Sequence, residues 1–247
     1  MDAAAIPILK RLVPSLRKRR AEMTDPLTYR LIKRNGAMFL VDYSAWSDRQ
    51  TLIHGLVERP QTEFLLRAFV DHGVEIFVDI GAHTGAYAIM VARHTQCHRI
   101  IAFEPDARNF AHLQANLLVN RLIGKVETHQ VAISDKDGTA PFMSVEPPYN
   151  VWSRISQEPN SQGNALVRTA RLDSLLSLDS ASVGLKIDVE GHEFQVIDGM
   201  PNLLRANRCI LQVECVPERL PAFAAKMKAL GYDHIHSIAH DRYFIRA

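Results

Sequence analysis

Ile76-Phe-Val-Asp-Ile-Gly-Ala-His-Thr-Gly85, running on into Ala86-Tyr-Ala-Ile-Met-Val-Ala-Arg93, is the stretch that decides the fold. Ile76, Phe77 and Val78 form a continuous apolar run, as expected of a strand buried on both faces of a parallel sheet. Asp79 ends that strand, Gly81 and Gly85 bracket a tight turn, and Ile89, Ala92 and Arg93 continue at helical spacing. Strand, glycine turn and helix in this order carry a nucleotide-like ligand at the carboxyl end of a strand. Glycine is expected there because a Cβ would hold the ligand away from the backbone.

The next strand, Arg99-Ile-Ile-Ala-Phe-Glu104, narrows the ligand. Glu104 lies 19 residues beyond Gly85, and an acid about 20 residues on is placed to accept hydrogen bonds from ribose hydroxyls. The turn lacks the Gly-x-Gly-x-x-Gly of dinucleotide sites; it reads Asp79-x-Gly81-x-x-x-Gly85, with His83 between. One wide turn preceded by an acid suits a ribose with an amino acid tail better than a pyrophosphate. S-adenosylmethionine is such a ligand.

Five segments then occur in order: Val78-Asp-Ile-Gly-Ala-His-Thr-Gly85, Ala102-Phe-Glu-Pro-Asp106, Ala132-Ile-Ser-Asp135, Arg171-Leu-Asp173 and Leu185-Lys-Ile-Asp-Val-Glu-Gly-His-Glu193. Over roughly residues 50 to 245 the chain resembles the FkbM-type S-adenosylmethionine-dependent methyltransferases. His83 departs from the family, which usually has Asn there. The resemblance implies a class I methyltransferase (Rossmann-like) α/β fold: a mostly parallel seven-stranded sheet with an antiparallel terminal strand, preceded by a β-hairpin. The expected division is 1–59 for a basic arm and hairpin and 60–247 for the methyltransferase domain.

Composition agrees with one large α/β domain: 247 residues, 47% hydrophobic and 23% charged. No apolar run approaches the ~18 residues that span a bilayer, and no signal-peptide core is visible. Cys97, Cys209 and Cys215 lack zinc-ligand spacing, so buried thiols in a reducing cytoplasm are expected. Residues 1 to 34 hold nine Lys/Arg against three Asp/Glu, which confines the positive excess to one arm and argues against a nucleic-acid-binding face. Residues 1 to 23 read as an amphipathic arm interrupted by Pro7 and Pro14. A frayed tail, a helix docked on a partner subunit and a contact with an anionic membrane all fit it.

Along the chain, Tyr29 to Asp42 reads as a hairpin about Asn35-Gly36, and Pro60 to His72 as a helix ended by Gly73. Asp106 to Asn120 is expected as a helix with Phe110, Leu113, Leu117 and Leu118 inward, Val126 to Ile133 as one strand, and 146 to 167 as a long loop. Alternating strands and helices follow, broken near Gly199 and Pro201, and the chain closes on a strand pair, His234 to Ile238 and Arg242 to Arg246.

Asp79, Glu104, Asp188 and Glu214 all fall at strand carboxyl ends, where a site in this architecture stands. The expected cofactor contacts are Asp79 (to the ammonium group), Gly81, Ala82, His83 and Gly85 around the methionine portion, Glu104 with Pro105 at the ribose, and Asp188. By family resemblance Ala132, Ile133 and Ser134 flank the adenine. The Lys186-x-Asp188-x-Glu190-Gly-His192 cluster is the expected catalytic side, with His192 as a general base because its ordinary pKa suits neutral pH. A divalent cation on Asp188, Glu190 and His192 is the weaker alternative, since no further ligand is spaced to complete its shell. Trp152, Arg154 and Glu214 are expected at the acceptor, with Tyr149 and Asn150 in a lid. The function expected is O-methylation of a saccharide or secondary metabolite; an N-methyltransferase and a catalytically silent cofactor-binding module are the alternatives. A homo-oligomer stays open.

Overall fold

Strands with no polar face need cover on both sides, and the computed structural model supplies it. It describes residues 29–55, 58–146, 152–156 and 163–246. The basic arm, Tyr149 and Asn150 lie outside the described residues. In chain order the elements are β1 (Tyr29–Arg34), β2 (Ala37–Asp42), α1 (Trp46–His54), α2 (Arg59–Asp71), β3 (Ile76–Ile80), α3 (Ala86–His94), β4 (Arg99–Phe103), α4 (Ala107–Val119) and β5 (Val126–His129). Then come β6 (Ala132–Ile133), β7 (Gly138–Met143), β8 (Arg154–Ile155), β9 (Ala165–Ala170), α5 (Leu172–Leu175), β10 (Ser182–Ile187), α6 (Glu193–Asp198) and α7 (Pro201–Ala206). The last are β11 (Arg208–Glu214), α8 (Leu220–Ala229), β12 (Tyr232–Ile238) and β13 (Asp241–Arg246).

The main sheet has seven strands in the order β12-β13-β11-β10-β3-β4-β5. Only β13 runs against its neighbours. The chain builds outward from β3 in one direction and from β10 in the other, so the switch point lies between these two strands. Ligands in open α/β sheets bind beyond the carboxyl ends at that point. Successive residues of one strand serve opposite cores: Phe77 packs with Leu113 and Leu117 of α4, Val78 with Val196 of α6 and Phe223 of α8. Each such fully buried side chain contributes about 1.5–3 kcal/mol. Gly184 of β10 lets α2 lie close, since a Cβ there would stand 2.2 Å from the Phe69 ring. No helix among the described residues is long and apolar enough to cross a membrane.

Three expectations are corrected. Val126 to Ile133 is not one strand: β5 stays in the main sheet, while β6 crosses to a second sheet of order β6-β9-β7-β8. The stretch 146 to 167 is not wholly loop, because β8 pairs with β7 and β9 begins at Ala165. Leu118 is 66% exposed; the buried stripe of α4 runs through Asn109, Leu113, Asn116 and Leu117, and Leu118 lies a further 100° round.

The hairpin is pinned to the domain by those asparagines. Asn116 accepts from Leu40 N at 2.7 Å and donates to the Thr84 carbonyl at 2.9 Å. Asn120 accepts from Met38 N at 2.9 Å and donates back to Met38 O at 2.6 Å. Spaced one helical turn apart, the two amides act as a surrogate strand along β2. Replacing Asn116 with Ala strands buried backbone groups in both the hairpin and the turn after β3, so Asn116→Ala is expected to lower unfolding free energy by about 2–4 kcal/mol in urea titrations.

Candidate active site

Beyond the carboxyl ends of β3, β4, β10 and β11 lies a cavity of about 330 Å³. Its floor is the turn after β3. The amides of Gly81 and Ala82 donate to the Phe103 carbonyl at 2.9 and 3.0 Å, and Gly85 N donates to Ala82 O at 2.8 Å. These groups are therefore spent inside the protein. The glycines are also required by packing: φ is +82° at both, a Cβ on Gly81 would sit 1.8 Å from the Asp188 carbonyl, and one on Gly85 2.4 Å from Leu113. They let β10 and α4 close on the turn after β3. Gly85 does not line the cavity; Gly81, Ala82 and His83 do.

Glu104 reaches back to this turn. Its two oxygens accept from His83 N at 2.8 Å and Asp106 N at 2.9 Å, and Asn109 adds a side-chain hydrogen bond. Burial pushes its carboxyl up to about 8. Burial also holds the His83 imidazole down at about 4, so it is neutral at physiological pH and can only hydrogen-bond, as the Asn usual at that position would. Asp79 is 1% exposed and neither oxygen has a hydrogen-bond partner among the described residues. Its carboxyl is raised to about 6 by burial, against the pull of Lys186. Pro105, Ala132 and Ile133 line the cavity, whereas Ser134 stands behind it. The Ser134 hydroxyl lies 2.9 Å from His192 Nε2. That places His192, expected as the base, beside the Ala132–Ser134 wall, where burial lowers its pKa.

The remaining wall is acidic. Lys186 Nζ donates to Asp188 Oδ2 at 2.8 Å and lies 4.6 Å from the centre of the Tyr87 ring. Burial opposes its charge, but Asp188, Glu58, Tyr87 and Asp79 outweigh that and lift its pKa well above the usual value. Lys186 is thus an ammonium at any working pH. Burial raises Asp188 while Lys186 lowers it, and the lysine prevails. Glu214, at the end of the neighbouring strand, is driven to about 10 first by the Asp188 charge and then by burial, so it keeps its proton and shares it with Asp188. Glu190 is lifted to about 7 by burial and by Asp188. Single oxygens of Asp188, Glu190 and Glu214 lie within 4.8 Å of one another; the metal set entertained from the sequence had His192 in the place of Glu214.

Trp152 and Arg154 reach the rim on the second sheet. Opposite elements contribute residues that no motif announced: Trp46, Asp48 and Thr51 from α1, Glu58 before α2, and Tyr87 from α3. One sequence signal was available for Trp46. The chain has two tryptophans, and both stand about half exposed, 47% and 51%, at the mouth of the same cavity.

Comparison with known proteins identifies the family. A family model described as "Methyltransferase FkbM domain" matches residues 79–233. The chain is 26% identical to a hexuronic acid methyltransferase, AglP, of Haloferax volcanii, over 53% of this chain and 52% of that protein. It is also 26% identical to the 31-O-demethyl-FK506 methyltransferase FkbM of Streptomyces tacrolimicus, over 68% of this chain and 78% of that protein. The chain thus spans about half the length of the first of these relatives. The crystal structure of methyltransferase FkbM from Methylobacillus flagellatus superposes with a TM-score of 0.52 at 14% identity, covering 99% of this chain and 61% of that one; it shows the fold alone.

The acid-rich cavity fixes how stability responds to pH. Asp48 and Asp79 at about 6, Glu190 at about 7 and Glu104 at about 8 all lie above their ordinary values of 3.8 or 4.5. Each proton is held more tightly in the folded state, so its stabilisation is complete below about 4.5 and is lost as pH rises through 6 to 8. Thermal melts of the free protein are expected to give a lower Tm at pH 8.5 than at pH 5.5.

Proposed function

The chain belongs to the FkbM methyltransferase family, and from that premise we propose that it transfers a methyl group from S-adenosylmethionine to a hydroxyl oxygen of a saccharide or secondary metabolite. The donor supplies an electrophilic methyl on a sulfonium; the rest is binding, orientation and a proton. The residues present fit such a donor. Asp79, buried with unpartnered oxygens, is placed to take its ammonium group. Glu104 lines the cavity just past β4, where it would meet the ribose hydroxyls, and Ala132 and Ile133 offer an apolar wall to the adenine. Pro105 closes the turn beside Glu104.

Glu190 carries the choice of oxygen as acceptor atom. A hydroxyl must lose its proton as it is methylated, and an acid tuned to about 7 is matched to that task at neutral pH. Asp188, held ionised by Lys186 and by the Glu214 proton, is a weaker base and orients the hydroxyl instead. His192 supports the wall behind the adenine. Trp46 and Trp152 line the cavity half exposed and offer aromatic surface suited to the C–H face of a pyranose, and Arg154 adds a cation to the same lining. The names of the two relatives, one a hexuronic acid methyltransferase and one a 31-O-demethyl-FK506 methyltransferase, support an acceptor of this class. An amine acceptor is the second reading, since the same acids attract an ammonium ion. The free thiols of Cys97, Cys209 and Cys215 suit a reducing, cytoplasmic setting.

Titration calorimetry with S-adenosylhomocysteine is expected to give saturable binding, and NAD none. Labelled-methyl transfer into glycan and metabolite fractions then tests the base. Glu190→Gln is expected to reduce transfer by roughly 10²–10⁴-fold while S-adenosylhomocysteine affinity is unchanged; equal transfer would remove Glu190 from the reaction.

A further inference from the structure

The turn that presents Glu190 is clamped from outside by a residue that no motif singles out. Glu190 has φ +53° and Gly191 φ +100°. A left-handed backbone is strained at a glutamate and persists only where the surroundings over-determine it. Here both peptide planes flanking Gly191 are pinned. The Gly191 amide donates to Glu193 Oε1 at 2.6 Å, which fixes the plane that sets ψ of Glu190. The Gly191 carbonyl accepts from Arg219 Nη1 at 2.8 Å. The same nitrogen donates to Glu193 Oε2 at 3.0 Å, so one guanidinium grips the turn and the carboxylate that holds it. Glu193 is 3% exposed, and Arg219 lies over the Phe194 ring at 5.0 Å. Arg219 comes from the connection between β11 and α8, outside the five motif segments quoted from the sequence.

We infer that Arg219 is a positioning residue, which acts through Glu193 and Gly191 to hold Glu190 in the left-handed conformation that sets its carboxylate in the cavity wall beside Asp188. The inference rests on the reading of Glu190 as the base, and it adds a reason why that acid stays among like charges. Asp188 and Glu193 repel it; Arg154 and Lys186 attract it. Without the clamp, Glu190 is free to relax to right-handed backbone and turn its carboxylate to water.

The test is carboxyl ¹³C NMR titration of the full chain labelled at glutamate, with Glu190 assigned through Glu190→Gln. The parent signal is expected to titrate near 7. In Arg219→Ala it is expected to fall by about two units, toward the ordinary carboxylate range. Loss of a nearby positive charge alone would move it upward, so the direction separates repositioning from simple electrostatics. Arg219→Lys, which keeps a donor for the Gly191 carbonyl, is expected to restore most of the shift, and it serves as the readout if Arg219→Ala does not fold. Affinity for S-adenosylhomocysteine is expected to be unchanged in both. A parent signal near 4.5 would sink the reading of Glu190 as the base. A parent signal near 7 that stays or rises in Arg219→Ala, or an Arg219→Lys signal no nearer the parent than that of Arg219→Ala, would overturn the clamp.

Discussion

One ammonium ion organises the middle of this molecule. Lys186 is 4% exposed and stands in register between Asp79 on one neighbouring strand and Gln212 on the other. Around it Glu58 accepts from the Tyr87 hydroxyl at 2.9 Å, and Gln212 donates to that hydroxyl at 3.0 Å and to Asp241 at 2.8 Å. The network draws together the residue before α2, the first turn of α3, and strands β10, β11 and β13. Breaking a buried ion pair by removing one partner costs about 3–5 kcal/mol, and here several carboxyls share a single cation. The packing of three layers therefore depends on a charge that also sits beside the reaction centre.

That arrangement leaves the cavity with more acid than base. Parallel strands with a common carboxyl edge place Asp79, Glu104, Asp188 and Glu214 within one space, and three of the four are raised, Asp79 and Glu104 by burial first and Glu214 by the Asp188 charge first. Such a site is unfavourable by itself and is relieved by a ligand that carries positive charge and hydroxyl donors. A sulfonium with an ammonium group and a ribose has both. The same crowding divides labour among the acids: Glu214 retains a proton, Asp188 gives its proton up, and Glu190 lies between them.

Much of this was legible in the chain. The apolar run Ile76 to Val78 reads as a doubly covered strand, and Asn35-Gly36 specifies its turn without help from elsewhere. The acids at strand ends followed from the strands. What escaped was set by tertiary packing. Val126 to Ile133 carries no glycine or proline to mark the change of sheet, and Leu117 and Leu118 are chemically alike although one is buried and the other faces solvent. The glycines of the turn after β3 were expected for the sake of a ligand, and the packing that also requires them was not legible, because the Asp188 carbonyl and Leu113 are more than 25 residues away in sequence. Glu58 enters the site from a segment without a motif, Tyr87 was not singled out in the helix after the turn, and Arg219 acts from outside the cavity, so only the folded chain identifies their roles.

The asparagine pair on α4 has a consequence for assembly. A two-stranded ribbon ordinarily offers two open edges to other chains. In this ribbon the β2 edge is occupied by Asn116, Asn120 and the His112 ring, which lies 2.5 Å from the Leu40 carbonyl. A strand added to this ribbon would therefore have to pair along the far side of β1, the strand on which Tyr29 and Leu31 are solvent-facing.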